Sequence, residues 1–147
     1  MEKPTEKPTE ELLSQLMQAK NLDNFLQDIP APPPTFAAYL SQLRTQSGKT
    51  KSHIIQAAQL NTTYGYQIFS GDRPAPGRNK VICLALALSC TLIQTNRLLK
   101  ISGHNELYVK NRRDAIVIFA IIHGQNLSTT QEKLYALGEQ TLTDPAG

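Results

Sequence analysis

The chain has 147 residues, 40% of them apolar, with no Trp and a net charge of +3. That length suits one ordinary domain, or a core with an extra arm. Its longest apolar run, AIVIFAII at residues 115–122, is too short to cross a bilayer as a helix. The polar N-terminus MEKPTEKPTEE does not resemble a secretory leader, so the reading is of a soluble, cytoplasmic protein without a membrane partner.

Charge is unevenly spread. Residues 1–34 carry three Lys against six Asp/Glu, a net of −3, whereas residues 35–147 carry twelve Lys/Arg against six Asp/Glu, a net of +6. The basic part can attract a polyanion, and the acidic part can answer it in cis or engage a protein partner.

Residues 1–9 contain the repeat EKPTEKPT and read as an unfolded tail, with Thr5 and Thr9 open to modification. Residues 10–29 form a helical arm. Thr9 is its candidate cap, Leu12, Leu13, Leu16, Met17, Leu22, Phe25, Leu26 and Ile29 form its apolar stripe, and a break is expected near Asn21. PAPPP at 30–34 is a stiff extended linker.

The main helical domain is expected over 35–103. Its first helix, 35–46, turns Phe36, Tyr39, Leu40 and Leu43 inward and stops at Ser47-Gly48. Thr50 caps KSHIIQAAQ; Asn61 or Thr62 caps the next helix, which runs to Ser70 and ends at Gly71. Pro74 and Pro76 stiffen a loop. RNKVICLALALSCT is apolar beyond one stripe and reads as the central, most buried helix. Thr91 then caps LIQTNRLLKISG, closed by Gly103.

Residues 104–142 are a C-terminal helical extension. One helix is expected over 105–122, closed by Gly124, with Lys110 and Asp114 as an i,i+4 pair. The run AIVIFAII has β-branched residues that favour strands, but a lone strand in an all-helical chain has no partner, so a helix is expected. Ser128 caps TTQEKLYALGEQTL. The fold class is all-α, a compact helical bundle.

Catalytic and metal chemistry find no footing in the sequence. There is no Gly-rich phosphate loop, HExxH, CxxC or nucleophile elbow, and SGKTKS at 47–52 lacks the glycine pattern of a phosphate loop. His53, His104 and His123 are scattered, so no metal and no cofactor are expected. Cys83 and Cys90, seven positions apart, would stand about 10 Å apart along one helix, too far for a disulfide. They read as buried structural thiols.

The stretch TKSHIIQAAQLNTTYGYQIFSGDRPAPGRNKVICLALAL resembles the Xre/Cro/C1-type, lambda-repressor-like helix-turn-helix family, over residues 35–103. The features that carry the resemblance are the Thr50 cap, Ala58, Leu60 closing the turn, the Asn61 cap, Ile68, Gly71, and Arg73, Pro74 and Pro76 in the following loop. The chain departs from the family pattern at Ile55, usually Ala; at Lys51, usually Gln; and at Phe69, usually polar. Gly65 lies inside the third helix.

The resemblance implies a bacterial, cytoplasmic, nucleoid-associated transcription regulator. It would bind double-stranded DNA, as a homodimer, with helix 61–70 as recognition helix. Thr62, Thr63, Tyr66 and Gln67 are the expected base contacts; Gln67 suits an adenine edge. Lys49, Lys51, Arg73, Arg78 and Lys80 are the expected phosphate contacts. The arm or the extension would supply the dimer surface. In the alternative reading, the same fold is a protein-interaction module that no longer reads DNA. Tyr64, His53, Arg97, Lys100, Arg112 and Arg113 each admit a nucleic-acid role or a plain structural one.

Overall fold

The computed structural model describes residues 9–27, 29, 32 and 34–143, and every described regular element is an α-helix. The chain divides into two units, Met1–Pro33 and Pro34–Gly147. Most of the expected tail and most of the Pro-rich linker lie outside the described residues.

The first unit contains α1 (Thr9–Gln18) and α2 (Leu22–Gln27). The break falls where it was expected. The Asn21 side chain accepts hydrogen bonds from Asp23 N (2.9 Å) and Asn24 N (3.3 Å), so it restarts the chain as a cap. Neither helix buries a residue.

The second unit contains α3 (Phe36–Ser47), α4 (Lys51–Ala57), α5 (Thr62–Ser70), α6 (Arg78–Ala87), α7 (Leu92–Ile101), α8 (Arg112–Ile122) and α9 (Leu127–Ala136). Side-chain caps set most of the starts: Thr35, Thr50, Asn61 and Thr91 each accept from a backbone N–H of the first turn. The centre is α6, where Val81 through Ala87 are all buried. It packs against α4, α7 and α9, while α3 packs against α5 and α7. Cys83 and Cys90 are free and buried, and burial pushes both thiols up to about 12.

Three expectations need correction. No helix spans 105–122; α8 begins at Arg112. The preceding backbone is irregular and is held by side chains instead. Leu107 N donates to Asn96 Oδ1 (2.9 Å), Tyr108 N donates to Asp114 Oδ2 (3.0 Å), and Arg78 takes the carbonyls of Asn105 and Glu106. Asp114 therefore pairs with Arg78, not with Lys110. At α9 the cap is Asn126, whose Oδ1 accepts from Thr129 N at 2.8 Å; Ser128 lies inside the first turn.

The second unit also contains a duplication. Arg78, Ala85, Thr95, Leu99, Gly103 and Leu107 recur as Arg113, Ala120, Thr130, Leu134, Gly138 and Leu142, at a constant spacing of 35 residues (Arg78 to Arg113). The contacts recur with them. Arg78 donates from Nε to Asn105 O and from Nη2 to Glu106 O; Arg113 donates from the same atoms to Gln140 O and Thr141 O. Asn96 accepts from Leu107 N, and Gln131 from Leu142 N. Thr95 and Thr130 each donate to the carbonyl of their own helix cap at 2.8 Å.

The α6–α7 pair and the α8–α9 pair meet reciprocally. Arg78 binds Asp114, the residue after Arg113, and Arg113 Nη1 binds Asn79 Oδ1 (3.0 Å), the residue after Arg78. Likewise α6 packs on α9 and α7 on α8. The relation is an approximate two-fold, of the kind that joins two subunits in a dimer.

Candidate nucleic-acid interface

The candidate interface is built on α4, a tight turn and α5. The turn is made by Gln59 at φ 55°, in the left-handed region, followed by Leu60, whose N–H donates to Ile55 O at 3.1 Å. Asn61 then caps α5 by accepting from Tyr64 N at 3.1 Å. Gly71, at φ 91°, ends α5.

Gly65 has a specific cause. A Cβ placed there would lie 2.7 Å from Ile55 Cγ1 and 2.8 Å from Cγ2. The large residue on α4 is accommodated by the absent side chain on α5, so these two departures from the family pattern compensate each other. Phe69 is likewise explained: it is buried in the continuous core of the second unit.

The expected base-reading residues have different fates. Thr62, Thr63 and Tyr66 are exposed on the first turns of α5. Gln67 is half-buried, and its Oε1 accepts from Arg73 Nε at 3.1 Å. That carbonyl keeps a second lone pair, and the amide keeps its donors. Arg73 thus braces Gln67, a job for which Lys51 is not suited. Its own backbone is fixed by Arg73 N donating to Gln67 O at 3.1 Å.

Of the five expected phosphate contacts, three remain available around α5. Arg73 and Lys80 are exposed and flank the Tyr64 ring, at 5.7 and 5.1 Å from its centroid. Lys51, at the start of α4, lies 5.8 Å from the Phe69 ring centroid. Lys49 is tethered, donating from Nζ to Ala87 O at 2.9 Å, the C-terminal end of α6. Arg78 is corrected outright: its guanidinium binds both oxygens of Asp114, at 3.0 and 2.9 Å, and two carbonyls besides. A group with those four bonds is a structural clamp.

Burial alone would raise the Asp114 pKa, but the Arg78 and Tyr108 hydrogen bonds and the charges of Arg78 and Arg113 outweigh it and hold the carboxyl below its usual range. Arg112 and Arg113 are committed too: Arg112 Nη2 donates to Leu137 O (2.9 Å) and Arg113 to the carbonyls at 140 and 141. Arg97 lies 4.8 Å from the Tyr39 ring centroid. His53 is exposed.

The charge around the interface is one-sided. Residues 35–103 carry eight Lys/Arg and one carboxylate, Asp72, a net of +7. Residues 104–143 carry four of each sign. Among the described residues no group of His, Cys, Asp and Glu could hold a metal ion, and no helix is long and apolar enough to cross a membrane. Compared with family models, curated proteins and solved structures, the chain matches none of them.

Proposed function

We propose that this protein is a sequence-specific double-stranded DNA-binding regulator of the lambda-repressor-like helix-turn-helix type, reading the major groove with α5. One observation carries the reading. The open face of α5 joins uncommitted polar side chains, Thr62, Thr63 and Tyr66, to an Arg-braced Gln67, in a segment whose net charge is +7. Exposed hydroxyls and a held amide suit base edges, and Lys51, Arg73 and Lys80 suit the flanking phosphates.

The test is fluorescence anisotropy on the intact protein with duplexes selected from a random pool, against scrambled duplexes, at several salt concentrations. Binding that prefers the selected duplexes and weakens steeply with salt is expected. Replacing Lys51 or Lys80 by Ala lowers the salt slope by about 1 each, with sequence preference kept, whereas Arg73→Ala also frees Gln67 and relaxes that preference. Gln67→Ala costs about 1–3 kcal/mol and relaxes preference at one base pair. Equal weak binding to selected and scrambled duplexes overturns the proposal and leaves the protein-interaction module as the better reading.

A further inference from the structure

The two halves of the duplicated joint differ by one carboxylate. At Arg78 the joint holds Asp114: Oδ1 accepts from Nη1 at 3.0 Å, and Oδ2 accepts from Nη2 at 2.9 Å and from Tyr108 N at 3.0 Å. At Arg113 the residue in that place is Asn79, whose Oδ1 accepts from Nη1 at 3.0 Å. No oxygen stands for Oδ2. On an amide the second position is a nitrogen, itself a donor. Arg113 Nη2 gives one hydrogen to Thr141 O, and its other hydrogen has no acceptor among the described residues. The N–H of Thr143, the counterpart of Tyr108, has none either. Three donors therefore lack the acceptor that their counterparts have. Burial first, then the charge of Arg78, lower the Arg113 pKa, and the charges of Asp114 and Glu139 offset this only in part.

This half of the joint borders a cavity of about 420 Å³. Asn79 and Thr143 line it with Leu60, Lys80, Cys83 and Leu142, and none of its lining residues is acidic. The charges of Lys80 and Arg113 both reach the Cys83 thiol in its wall. The cavity at the other half of the joint, about 370 Å³, has Asp114 and Glu106 in its lining. One cavity carries its own anion and the other carries only donors and cations. A volume above about 300 Å³ suits a small organic molecule.

We propose that the Asn79–Thr143 cavity binds a small aliphatic carboxylate. Its oxygens take the place of Asp114 Oδ2, accepting from Asn79 Nδ2 and Thr143 N beside the Arg113 and Lys80 charges. Its short chain lies on Leu60 and Leu142. Leu60 belongs to the turn before α5, so the occupant touches the element that positions that helix. The inference goes beyond the proposed DNA reading and does not draw on it.

The test is amide NMR of the full chain, free of DNA, titrated with sodium butyrate against sodium chloride at equal ionic strength. Saturating shifts at Asn79, Lys80 and Thr143 are expected, with a Kd on the order of 1 mM, reasonable for a ligand of about six heavy atoms. Asn79→Asp supplies the missing carboxylate from the chain itself and should weaken butyrate at least about tenfold, as should Lys80→Ala. Phe119→Ala is the control. Phe119 is 53% exposed on the open outer face of α8, where its counterpart Leu84 is 0% exposed, and its loss leaves butyrate binding unchanged.

Four results overturn the proposal: no saturating shift up to about 50 mM, well above the expected Kd; equal shifts with chloride, which mark ionic strength alone; inorganic phosphate shifting the same amides at lower concentration than butyrate; or Asn79→Asp binding butyrate as well as the wild type does. A response that appears only in Asp144→Asn also overturns it, because the chain's own carboxylate would then be the occupant. Failure of butyrate leaves the DNA reading standing. A protein that binds butyrate and no duplex does the reverse.

Discussion

The two copies of the duplicated helix pair share one scaffold and put it to different uses. In each, an arginine at the start of the first helix ties down the segment after the second, and a buried threonine bonds back to its cap. The first copy buries its outer face inside the main core. The second leaves the same face open. The lesson concerns which residues a repeat needs. Arg, Thr and the left-handed glycine recur because the geometry of the pair depends on them, while the outer apolar positions are free to change size with whatever lies over them.

Breaking the joint between the copies gives the largest effect. Asp114 is bound by both Arg78 nitrogens and by Tyr108 N–H, and its side chain is nearly buried. Asp114→Ala strands the Arg78 guanidinium and is expected to cost about 3 kcal/mol in urea unfolding. Asp114→Asn costs less and also alters the acid response. The folded carboxyl has a lowered pKa, so its contribution is fully present above the unfolded value of about 4 and is lost as pH falls through the folded value. The stability gap between wild type and Asp114→Asn is therefore constant near neutrality and narrows below about pH 4. A gap that widened on acidification would contradict this account of the joint.

A smaller effect separates the α4–α5 turn from its two later relatives. The α4–α5, α6–α7 and α8–α9 turns each use a residue at positive φ, namely Gln59, Ser89 and Gly124, two positions before the caps Asn61, Thr91 and Asn126. In the later turns, the positions equivalent to Ile55 and Gly65 hold Ala85 with Thr95, and Ala120 with Thr130. The first turn has exchanged small for large. Gly65→Ala gains about 1 kcal/mol of helix propensity but forces the stiff Ile55 side chain to move. A net loss of about 1–2 kcal/mol is expected. Adding Ile55→Ala to Gly65→Ala should then cost less than the sum of the two single changes, a coupling read by a double-mutant cycle. Strict additivity would show that the two residues do not compensate.

How much of this was legible in the sequence follows local chemistry. The caps Thr50 and Thr91 act within three residues of themselves and were readable, Asn61 was one of two candidates for its helix, and Thr35, read as the first helical residue, is the cap of α3. The buried α6 announced itself by its apolar circumference. The segment 105–111 was misread as helix because what opposes the helix is distant: Arg78 and Asn96 satisfy its backbone from elsewhere in the fold. The same distance hid Arg78. At the start of a helix in a basic stretch it resembled a phosphate contact, and only its partner at 114 shows otherwise. Gly65 looked like a flaw until Ile55 stood beside it. The duplication did leave a signal, the recurrence of Arg, Thr and Gly at a fixed spacing. It is faint because only positions with special geometry kept their identity.

The smallest expected effect would make the copies more alike. Arg78 faces a carboxylate at 114, but Arg113 faces the neutral Asn79, through one 3.0 Å bond from Nη1. Asn79→Asp would install the missing charge. The new carboxylate would sit in the first turn of α6, where the helix dipole favours it, and beside Arg113. Burial and the neighbouring charge of Arg78 already lower the Arg113 pKa, the first by desolvation and the second by repulsion, so a counter-charge has strain to relieve. Desolvating the new carboxylate offsets part of the gain. The balance is a stabilisation of about 0.5–1 kcal/mol at neutral pH. It should disappear below about pH 4 as the aspartate protonates. A loss of stability at neutral pH would mean that the two copies meet less symmetrically than their hydrogen bonds indicate.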